Sequence, residues 1–298
     1  MRTFGRLIRM SASSAVAIGN FDGFHAGHRR IFATLVETAR SERLCSVALS
    51  FHPHPRVFFG HPIRLISTDA QRLEALRCQE LDRLYFVDFS TVAGLPAVEF
   101  VRGVLLDSLR LKTLVVGEDF RFGRGRDGDL DALARLAAQE GFTVIRVPAV
   151  EIDGGRVTSS RIRKLLAAGA VREAGRLLEN PYFIDGVVAR GAGRGRKLGF
   201  PTMNIASENP ILPPGVFQTR LVISGRAYPA VTNIGCAPTF GAAPDGTRIE
   251  THVPGFRRMV YGRRIRLHFI DKIRDEREFA DAGRLTEQIR RDIASLGI

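Results

Sequence analysis

The segment AVAIGNFDGFHAGH (residues 15–28) joins an apolar run to a glycine-containing turn and then to a helical pattern. The apolar run predicts a buried strand. Gly19 and Gly23 let the backbone turn and approach a phosphate closely, because glycine carries no Cβ. A helix that starts near Gly27 points its free amides and the positive end of its dipole at an anion. The segment therefore predicts an anion site where the first strand ends.

Two histidines of this turn, His25 and His28, can donate hydrogen bonds to phosphate oxygens whose charge grows in a transition state. A metal site is the alternative, because His52, His54 and His61 follow closely in sequence. However, the region has no H-E-x-x-H motif and no cysteine pair, and the prolines of FHPHP keep that segment out of a helix. We therefore favour phosphate donors over zinc ligands. The turn also lacks the G-x-G-x-x-G spacing of dinucleotide-binding folds.

Short apolar runs alternate with amphipathic helical segments from residue 14 to about residue 178. The runs that predict strands are 15–19, 45–51, 84–87, 113–117 and 142–147. Thr68 and Gln71 form a capping-box pattern before one helical segment, and Ser159 and Ser160 are suited to cap another. This alternation indicates a parallel sheet with helices on both faces, which binds ligands at the carboxyl ends of its strands.

The pattern changes after Asn180-Pro181. Strand-like segments separated by turns rich in glycine and proline predict an antiparallel sheet or a small barrel. The last segment, about 275–296, predicts a closing amphipathic helix. Its apolar residues at helical spacing are Phe279, Leu285, Ile289 and Ile293. We therefore expect an α/β domain over 14–179, followed by a small antiparallel β-barrel domain with a C-terminal helix over 180–298.

The composition is that of an ordinary globular chain. No run of about 18 uncharged apolar residues occurs, so we expect no membrane span. The first ten residues, MRTFGRLIRM, lack the apolar core and cleavage site of a signal peptide, and Met10 is an alternative start. The 3 cysteines are scattered and odd in number. This is typical of reduced thiols in the cytoplasm and gives no metal-site spacing.

The net charge of +13 raises the question of nucleic-acid binding. Nearly all of the positive charge is arginine, spread from end to end, and the chain has only four lysines. The distribution indicates a general preference for arginine and not a basic patch interleaved with aromatic residues. A basic chain still attracts anionic substrates. We therefore expect phosphate-bearing ligands and no nucleic-acid partner.

Four strings in order resemble the FMN adenylyltransferase module of bacterial FAD synthetases, which is a nucleotidylyltransferase domain with a Rossmann-like fold. The strings are GNFDGFHAGH (19–28), SFHPHP (50–55), VGEDFRFGRGRDGD (116–129) and TSSRIRKLL (158–166). The resemblance implies that His25 and His28 bind the phosphates of ATP and stabilise the transition state. Four matches in order are far more specific than any one of them.

The same resemblance implies further contacts to ATP and to the flavin. The positions implied for ATP are Gly19, Asn20, Asp22, Gly23, Asp119, Ser159, Ser160 and Arg161. Phe59 and Phe122 match aromatic residues that flank the flavin ring, a planar apolar group that needs such surfaces. Core packing is the alternative for any single phenylalanine. His52 stands where the family often has an acidic residue.

The reaction that this resemblance implies is attack of the terminal phosphate oxygen of FMN on the α-phosphorus of ATP, with release of pyrophosphate. No covalent enzyme intermediate is needed, because positioning and charge stabilisation carry the rate. Mg²⁺ is held mainly by the triphosphate in such reactions.

A second glycine-rich segment, GAGRGRKLGFPTMN (191–204), follows a predicted strand. Alone it fits a phosphate-wrapping loop, an RNA-binding loop or a solvated turn. The string GRGRKLGFPTMN, however, resembles the riboflavin kinase signature. Further matches follow in family order: PPGVF, AVTNIGCAPTFG, IETHVPGF, YGRRI and IRDEREF.

The kinase resemblance implies a second ATP site. The positions implied for it are Gly193, Gly195, Lys197, Thr202 and Asn204. Thr202 and Asn204 match the residues that bind Mg²⁺ with the ATP phosphates. Glu250 matches the base that accepts the proton of the riboflavin 5′-hydroxyl; an exposed strand glutamate is the alternative. Arg274 falls near the flavin site.

Two departures from the kinase pattern occur. Cys236-Ala237 stands where an arginine often precedes Pro-Thr, and PGFRRMVYG (254–262) lacks the usual acidic residues. Both affect substrate affinity or loop closure more than the activity itself.

Together the motifs predict a bifunctional riboflavin kinase/FMN adenylyltransferase that uses ATP and Mg²⁺. We separately expect a monomer or loose oligomer. One alternative is a nucleotidylyltransferase of another substrate with an accessory barrel, and the second motif set argues against it. The other alternative is a basic RNA-binding protein with a degenerate Rossmann domain. That alternative predicts loss of His25, His28 or Glu250, and all three are present.

Overall fold

The computed structural model describes residues 9–191, 195, 198–236 and 247–297, and the chain divides into two compact units between Ser159 and Ser160. The first unit contains β1 (Ser14–Ile18), α1 (Ala26–Ser41), β2 (Cys45–His52), α2 (Pro55–Phe58), α3 (Asp69–Arg77), β3 (Arg83–Asp88), α4 (Ala97–Glu99, continuing as a π-helix over Phe100–Ser108), β4 (Leu111–Gly117), α5 (Leu130–Glu140), β5 (Thr143–Val147), β6 (Glu151–Ile152) and β7 (Gly155–Arg156). Two single turns of 3-10 helix, Phe89–Thr91 and Arg124–Arg126, complete it. Then follow α6 (Ser159–Ala167), α7 (Val171–Leu178), β8 (Phe183–Ala189), β9 (Thr202–Ser207), β10 (Gly215–Ile223), β11 (Arg226–Cys236), β12 (Thr247–His252), β13 (Arg264–Arg274) and α8 (Ala282–Ala294).

The first unit is a parallel five-stranded sheet with the order β3-β2-β1-β4-β5. The chain builds outward from β1 to β3 and then returns to the other side of β1 to place β4. Helices that cover parallel strands in this way leave a crevice at the carboxyl ends, where the winding reverses. The reversal lies between β1 and β4, and the loop after β1 opens there. The predicted parallel sheet is confirmed.

Apolar residues on both faces of this sheet bury it. On one face α1 and α3 pack against small β1 residues such as Ala15 and Ala17. On the other face the helix after Pro96 and α5 pack against Val16 and Ile18. Alternation of side chains along each strand makes this possible, and it explains why the strands appear as unbroken apolar runs in the sequence.

Hydrogen bonds are seen at two of the predicted helix starts. Thr68 and Gln71 form the predicted capping box at α3, each side chain accepting from the other residue's amide. The Ser159 hydroxyl, by contrast, donates to the carbonyl oxygen of Asp22 at 3.2 Å. Ser159 therefore also links the start of α6 to the loop after β1.

The second unit is built on a closed antiparallel barrel with the order β10-β11-β12-β9-β8-β13. Its interior includes a chain of hydroxyls, because Thr232 lies 2.8 Å from Thr219 and 2.9 Å from Thr251 between Oγ1 atoms. All three residues are buried. The hydroxyls satisfy one another, as buried polar groups must, and they mark which side of β12 faces inward. The predicted barrel is confirmed.

The closing helix α8 is shorter than predicted. It begins at Ala282, after Asp281 accepts a hydrogen bond from the Arg284 amide at 2.8 Å. Phe279 therefore precedes the helix, since a cap at Asp281 ends the extended segment before it. Leu296 and Ile293 pack with Val216 and Val231 of the barrel. Throughout the described part of the chain, no helix has the length and apolar character to cross a membrane.

Candidate active sites

The loop after β1 is a tight turn that only glycine permits at two positions. A Cβ on Gly19 would lie 2.7 Å from the Phe21 ring, and one on Gly23 would lie 2.9 Å from Ile66 Cδ1. Gly23 also has a φ of +79°. Phe21 and Phe24 adopt positive φ angles of 51° and 39°, which are rare for bulky residues and concentrate at functional loops. We call residues 19–25 the phosphate loop.

His25 and His28 stack ring on ring where the phosphate loop enters α1. Their ring centroids are 3.7 Å apart with an interplanar angle of 17°, and the Phe21 ring packs edge-on against His28 at 5.4 Å. Burial, and then the neighbouring His25, lower the pKa of His28 well below its ordinary value. His28 Nδ1 is buried without a hydrogen-bond partner among the described residues. Such an unpaired buried nitrogen is typical of a site that a ligand completes.

Asp22 fixes the middle of the phosphate loop. Its buried carboxylate accepts hydrogen bonds from the amides of Ile66 at 3.0 Å and Ser67 at 3.1 Å. Charge-assisted bonds of this kind are stronger than neutral ones. Asp22 therefore ties the loop to the start of α3, and its carboxylate is committed within the protein.

A row of polar side chains crosses the outer face of the barrel. Glu250 on β12 pairs in register with Asn204 on β9 and with Asn233 on β11. Two residue pairs along, His252 lies opposite Thr202. Directly paired residues share a face, and neighbours along a strand alternate. Because Thr251 between Glu250 and His252 is buried in the barrel, this row faces outward.

The glycine-rich segment passes close to this row. A Cβ on Gly191 would lie 1.9 Å from Asn204 Nδ2, and one on Gly195 would lie 2.4 Å from the carbonyl oxygen of Phe200 and 3.2 Å from Thr202 Oγ1. The backbone therefore packs directly on Thr202 and Asn204. Gly193 and Lys197 lie outside the described residues. Backbone this close to a hydroxyl and an amide forms a compact polar site beside Glu250.

Comparison with known proteins covers both units. A family model described as FAD synthetase matches residues 8–161, and one described as riboflavin kinase matches residues 178–297. The bifunctional riboflavin kinase/FMN adenylyltransferase of Pseudomonas fluorescens is 38% identical over 284 residues, which cover 93% of this chain and 90% of that protein. The enzyme of the same description from Bacillus subtilis (strain 168) is 35% identical, with coverage of 94% and 90%.

The chain belongs to the bifunctional riboflavin kinase/FMN adenylyltransferase family. Its C-terminal domain phosphorylates riboflavin to FMN, and its N-terminal domain adenylylates FMN to FAD. A solved structure titled as a macrolide-efflux protein from Streptococcus pneumoniae is also similar, with 30% identity, a TM-score of 0.85, and coverage of 96% of this chain and 94% of that one. That title describes the other protein.

In this family member the two phenylalanines predicted to flank the flavin have different surroundings. Phe59 is 57% exposed and packs edge-to-face with Phe58 and Phe89, at centroid distances of 5.2 and 5.8 Å. Phe122 is only 7% exposed and packs against Phe100 and Phe120 in the sheet core. The exposed cluster of Phe58, Phe59 and Phe89 forms an aromatic surface, whereas Phe122 packs as a core residue.

Other predicted residues of the adenylyltransferase lie outside the phosphate loop in the sequence. Asp119 is exposed just beyond β4, and Ser160 and Arg161 lie in the first turn of α6, within the second unit. His52 pairs through Nδ1 with Asp69, and His54 Nδ1 accepts from the Arg56 amide at 3.1 Å. Among the described residues, no three His, Cys, Asp or Glu side chains group as metal ligands.

Arg274 of the kinase domain is held by an internal ion pair. Its Nη2 donates to the buried Asp292 at 2.8 Å and its Nε at 3.1 Å. The pair fastens α8 to the end of β13, so the guanidinium is largely committed. Cys236 ends β11, and Ala237 lies outside the described residues. The segment 254–262 joins β12 to β13 and carries the highly exposed Met259.

Sequence motifs missed two residues beside Glu250. Asn233 Nδ2 donates to Glu276 Oε1 at 3.1 Å, and the Glu276 carboxylate occupies the space that a Cβ on Gly235 would need. Asn233 Oδ1 is buried without a partner in the described chain. The NIG string of β11 places Asn233 opposite Glu250, but only strand register reveals the pairing.

Proposed function

We propose that His25 and His28 stabilise the charge that develops on the leaving pyrophosphate when the FMN phosphate oxygen attacks the α-phosphorus of ATP. The stacked pair at the start of α1 is the observation that carries this proposal. The low pKa of His28 keeps its ring neutral at neutral pH, and a neutral imidazole donates one N–H. Hydrogen-bond donors aimed at developing charge contribute about 3–4 kcal/mol each to catalysis.

The remaining residues of the first site bind and orient the triphosphate in this proposal. The close backbone at Gly19 and Gly23 and the free amides of α1 hold phosphate oxygens. Asn20 Oδ1 is buried without a partner in the described chain and is available to accept a hydrogen bond from a hydroxyl or amino group of the nucleotide. Asp22 shapes the loop. We assign Asp119 to the nucleotide, and Ser159, Ser160 and Arg161 to its phosphates.

We propose Glu250 as the base that accepts the proton of the riboflavin 5′-hydroxyl. Thr202 and Asn204 would hold Mg²⁺ together with the ATP phosphates, and their hydroxyl and amide oxygens are hard ligands that suit this ion. Bound Mg²⁺ supplies positive charge to the phosphate oxygens. Glu250, paired in register with Asn204, orients the hydroxyl and takes its proton. We assign Gly193, Gly195 and Lys197 to the ATP phosphates, as the resemblance implies.

The aromatic surface around Phe59 is proposed to hold the flavin ring of FMN. Exposed edge-to-face rings offer apolar area to a planar ligand. Phe122 and Arg274 are retained as flavin contacts only as predictions from the resemblance, because the first is packed in the core and the second pairs with Asp292.

We also propose domain limits of 14–179 and 180–298, action in the cytoplasm, and a monomer or loose oligomer that binds no nucleic acid. The limits rest on the change of pattern at Asn180-Pro181. The cytoplasmic location and the lack of a nucleic-acid partner rest on composition and charge distribution.

The variant His28→Ala tests the first site. Purified variant chain receives riboflavin, ATP and Mg²⁺, and the flavins are separated. We expect FMN to accumulate, with FAD formation slowed by about 10²–10³-fold, since one hydrogen-bond donor to the developing charge is lost. Riboflavin phosphorylation by the same chain is the control for the amount of active protein, and a parental urea unfolding midpoint is the control for folding of the variant. FAD formation at the normal rate would show that the first site is wrongly assigned.

A further inference from the structure

Arg72 of α3 is buried beside the phosphate loop, and its charge has no part in the chemistry proposed for the first site. The residue is 1% exposed. A buried charge is strongly unfavourable unless it is paired and hydrogen-bonded. The Nε of Arg72 has no partner among the described residues, so the contacts of Nη1 and Nη2 show what the charge is retained for.

The guanidinium binds two backbone carbonyls from separate motifs. Nη1 donates to the carbonyl oxygen of Asn20 at 3.1 Å, and Nη2 donates to the carbonyl oxygen of Phe51 at 3.0 Å. Asn20 is in the phosphate loop, and Phe51 lies next to the end of β2. One planar group thus joins the carboxyl ends of two adjacent parallel strands, where ligands of such sheets bind.

Further contacts orient the guanidinium. Nη2 also donates to Asp69 Oδ1 at 2.7 Å, and Cζ lies 4.7 Å from the centroid of the Phe86 ring. The other oxygen of Asp69 pairs with His52, which ends β2. The planar fork of arginine meets these partners from fixed directions, and the single ammonium of a lysine does not.

The connection that carries Arg72 holds the loop at a second point. The amides of Ile66 and Ser67 bind the Asp22 carboxylate, two residues beyond Asn20. Segment 66–72 therefore fixes the phosphate loop from its start to its middle. We propose that Arg72 is a positioning residue for adenylyl transfer. By binding the carbonyl oxygens of Asn20 and Phe51, it fixes the position of the phosphate loop relative to the end of β2.

The test compares Arg72→Met and Arg72→Lys in the full chain. We expect Arg72→Met to lower kcat for FMN adenylylation by about 10²-fold, the effect of a displacement near 1 Å. KM for ATP should change less than kcat, and Arg72→Lys should recover part of the rate. Riboflavin kinase activity of each variant is the internal control. Arg102→Met is the matched control, since Arg102 forms an exposed ion pair with Glu140.

Hydrogen exchange separates positioning from general stability. The proposal predicts faster exchange of amides in 19–25 and 51–54, with the rest of the sheet unchanged. Adenylylation by Arg72→Met within about twofold of the parent would overturn the proposal, as would a rise in KM alone. Equal loss of protection across the sheet, with Arg72→Lys as slow as Arg72→Met, would also overturn it. If Arg72→Met does not fold, Arg72→Lys is compared with Arg102→Met instead. The proposal then predicts slower adenylylation and faster amide exchange in 19–25 and 51–54 for Arg72→Lys alone, and parental values of both would overturn it.

Discussion

The two ATP sites that we propose for this chain would use opposite chemistry at the reacting oxygen. The first, at the end of β1, presents stacked imidazoles and a helix start, and the carboxylate of its loop, Asp22, is bound to backbone amides. The second, on the outside of the barrel, presents Glu250 in a polar row. The nucleophiles explain the contrast. A phosphate monoester has a second pKa of about 6 and is already anionic at neutral pH, whereas a hydroxyl must lose its proton during attack.

In our proposal, the first site supplies hydrogen-bond donors for the leaving group, and the second supplies a proton acceptor for the nucleophile. Two unrelated local structures meet these needs. The start of a helix supplies backbone N–H groups without further side chains. The polar row on adjacent barrel strands places a carboxylate beside hard oxygen ligands.

Glu250→Gln should break the second site most severely. The amide keeps the shape of the side chain and cannot accept the proton, so riboflavin phosphorylation should fall by about 10²–10⁴-fold. Added FMN should still become FAD at the parental rate. Initial rates with separated flavins measure both, and Glu208→Gln, on an exposed residue before β10, is the control. Unchanged kinase activity would remove Glu250 from its assigned role.

Gly191→Ala should weaken ATP binding at the second site alone. The new methyl group would lie 1.9 Å from Asn204 Nδ2, so the loop or Asn204 must move. Overpacking of this kind costs about 1–3 kcal/mol, which corresponds to an increase of about fivefold to about a hundredfold in KM for ATP in the kinase reaction. Gly94→Ala, with open space around it, is the control. A parental KM would mean that the loop does not contact the nucleotide.

Phe59→Ala should affect the first site through the flavin. Loss of one exposed ring from the aromatic surface removes about 0.5–1.5 kcal/mol of ring contact, so KM for FMN should rise by up to about tenfold with little loss of stability. Phe122→Ala should instead lower the free energy of unfolding by about 3–5 kcal/mol, because its ring is in the core. Steady-state kinetics and urea unfolding distinguish them. A loss of stability in Phe59→Ala together with a raised KM for FMN in Phe122→Ala would exchange the roles of these two residues.

The pH dependence of stability should show the smallest effect. Burial keeps the pKa of His28 low when folded, so the unfolded chain binds more protons below its ordinary pKa of 6.5. Stability is then fully present above that pH and falls as the pH is lowered. His28→Gln should flatten the fall between about pH 7 and about pH 5. Part of this fall in stability should remain, because burial, and then Arg266 and Arg220, also lower the pKa of His268. If the urea unfolding midpoint of His28→Gln fell with decreasing pH as steeply as that of the parent, this prediction would be contradicted.

Sequence reasoning predicted the elements whose signals are local. The apolar runs located all five parallel strands, and Thr68 with Gln71 marked the start of α3. The predicted start of α8, near residue 275, was wrong because hydrophobic periodicity does not detect the N-cap at Asp281.

Contacts between distant segments could not be predicted in the same way. Arg72 and Asn20 are 52 positions apart, and Asn233 meets Glu276 only after barrel register is set. The burial of Phe122 likewise depends on Phe100, from another segment. A single sequence shows residue types and spacing, and these features depend on how the sheet and barrel bring segments together.

Titration calorimetry with a non-hydrolysable ATP analogue, in the presence of Mg²⁺ and flavin, tests most directly whether the chain holds two separate nucleotide sites. We predict two nucleotides bound per chain, and one per chain in Gly191→Ala at concentrations that fill the first site. A single nucleotide per parental chain would contradict the account.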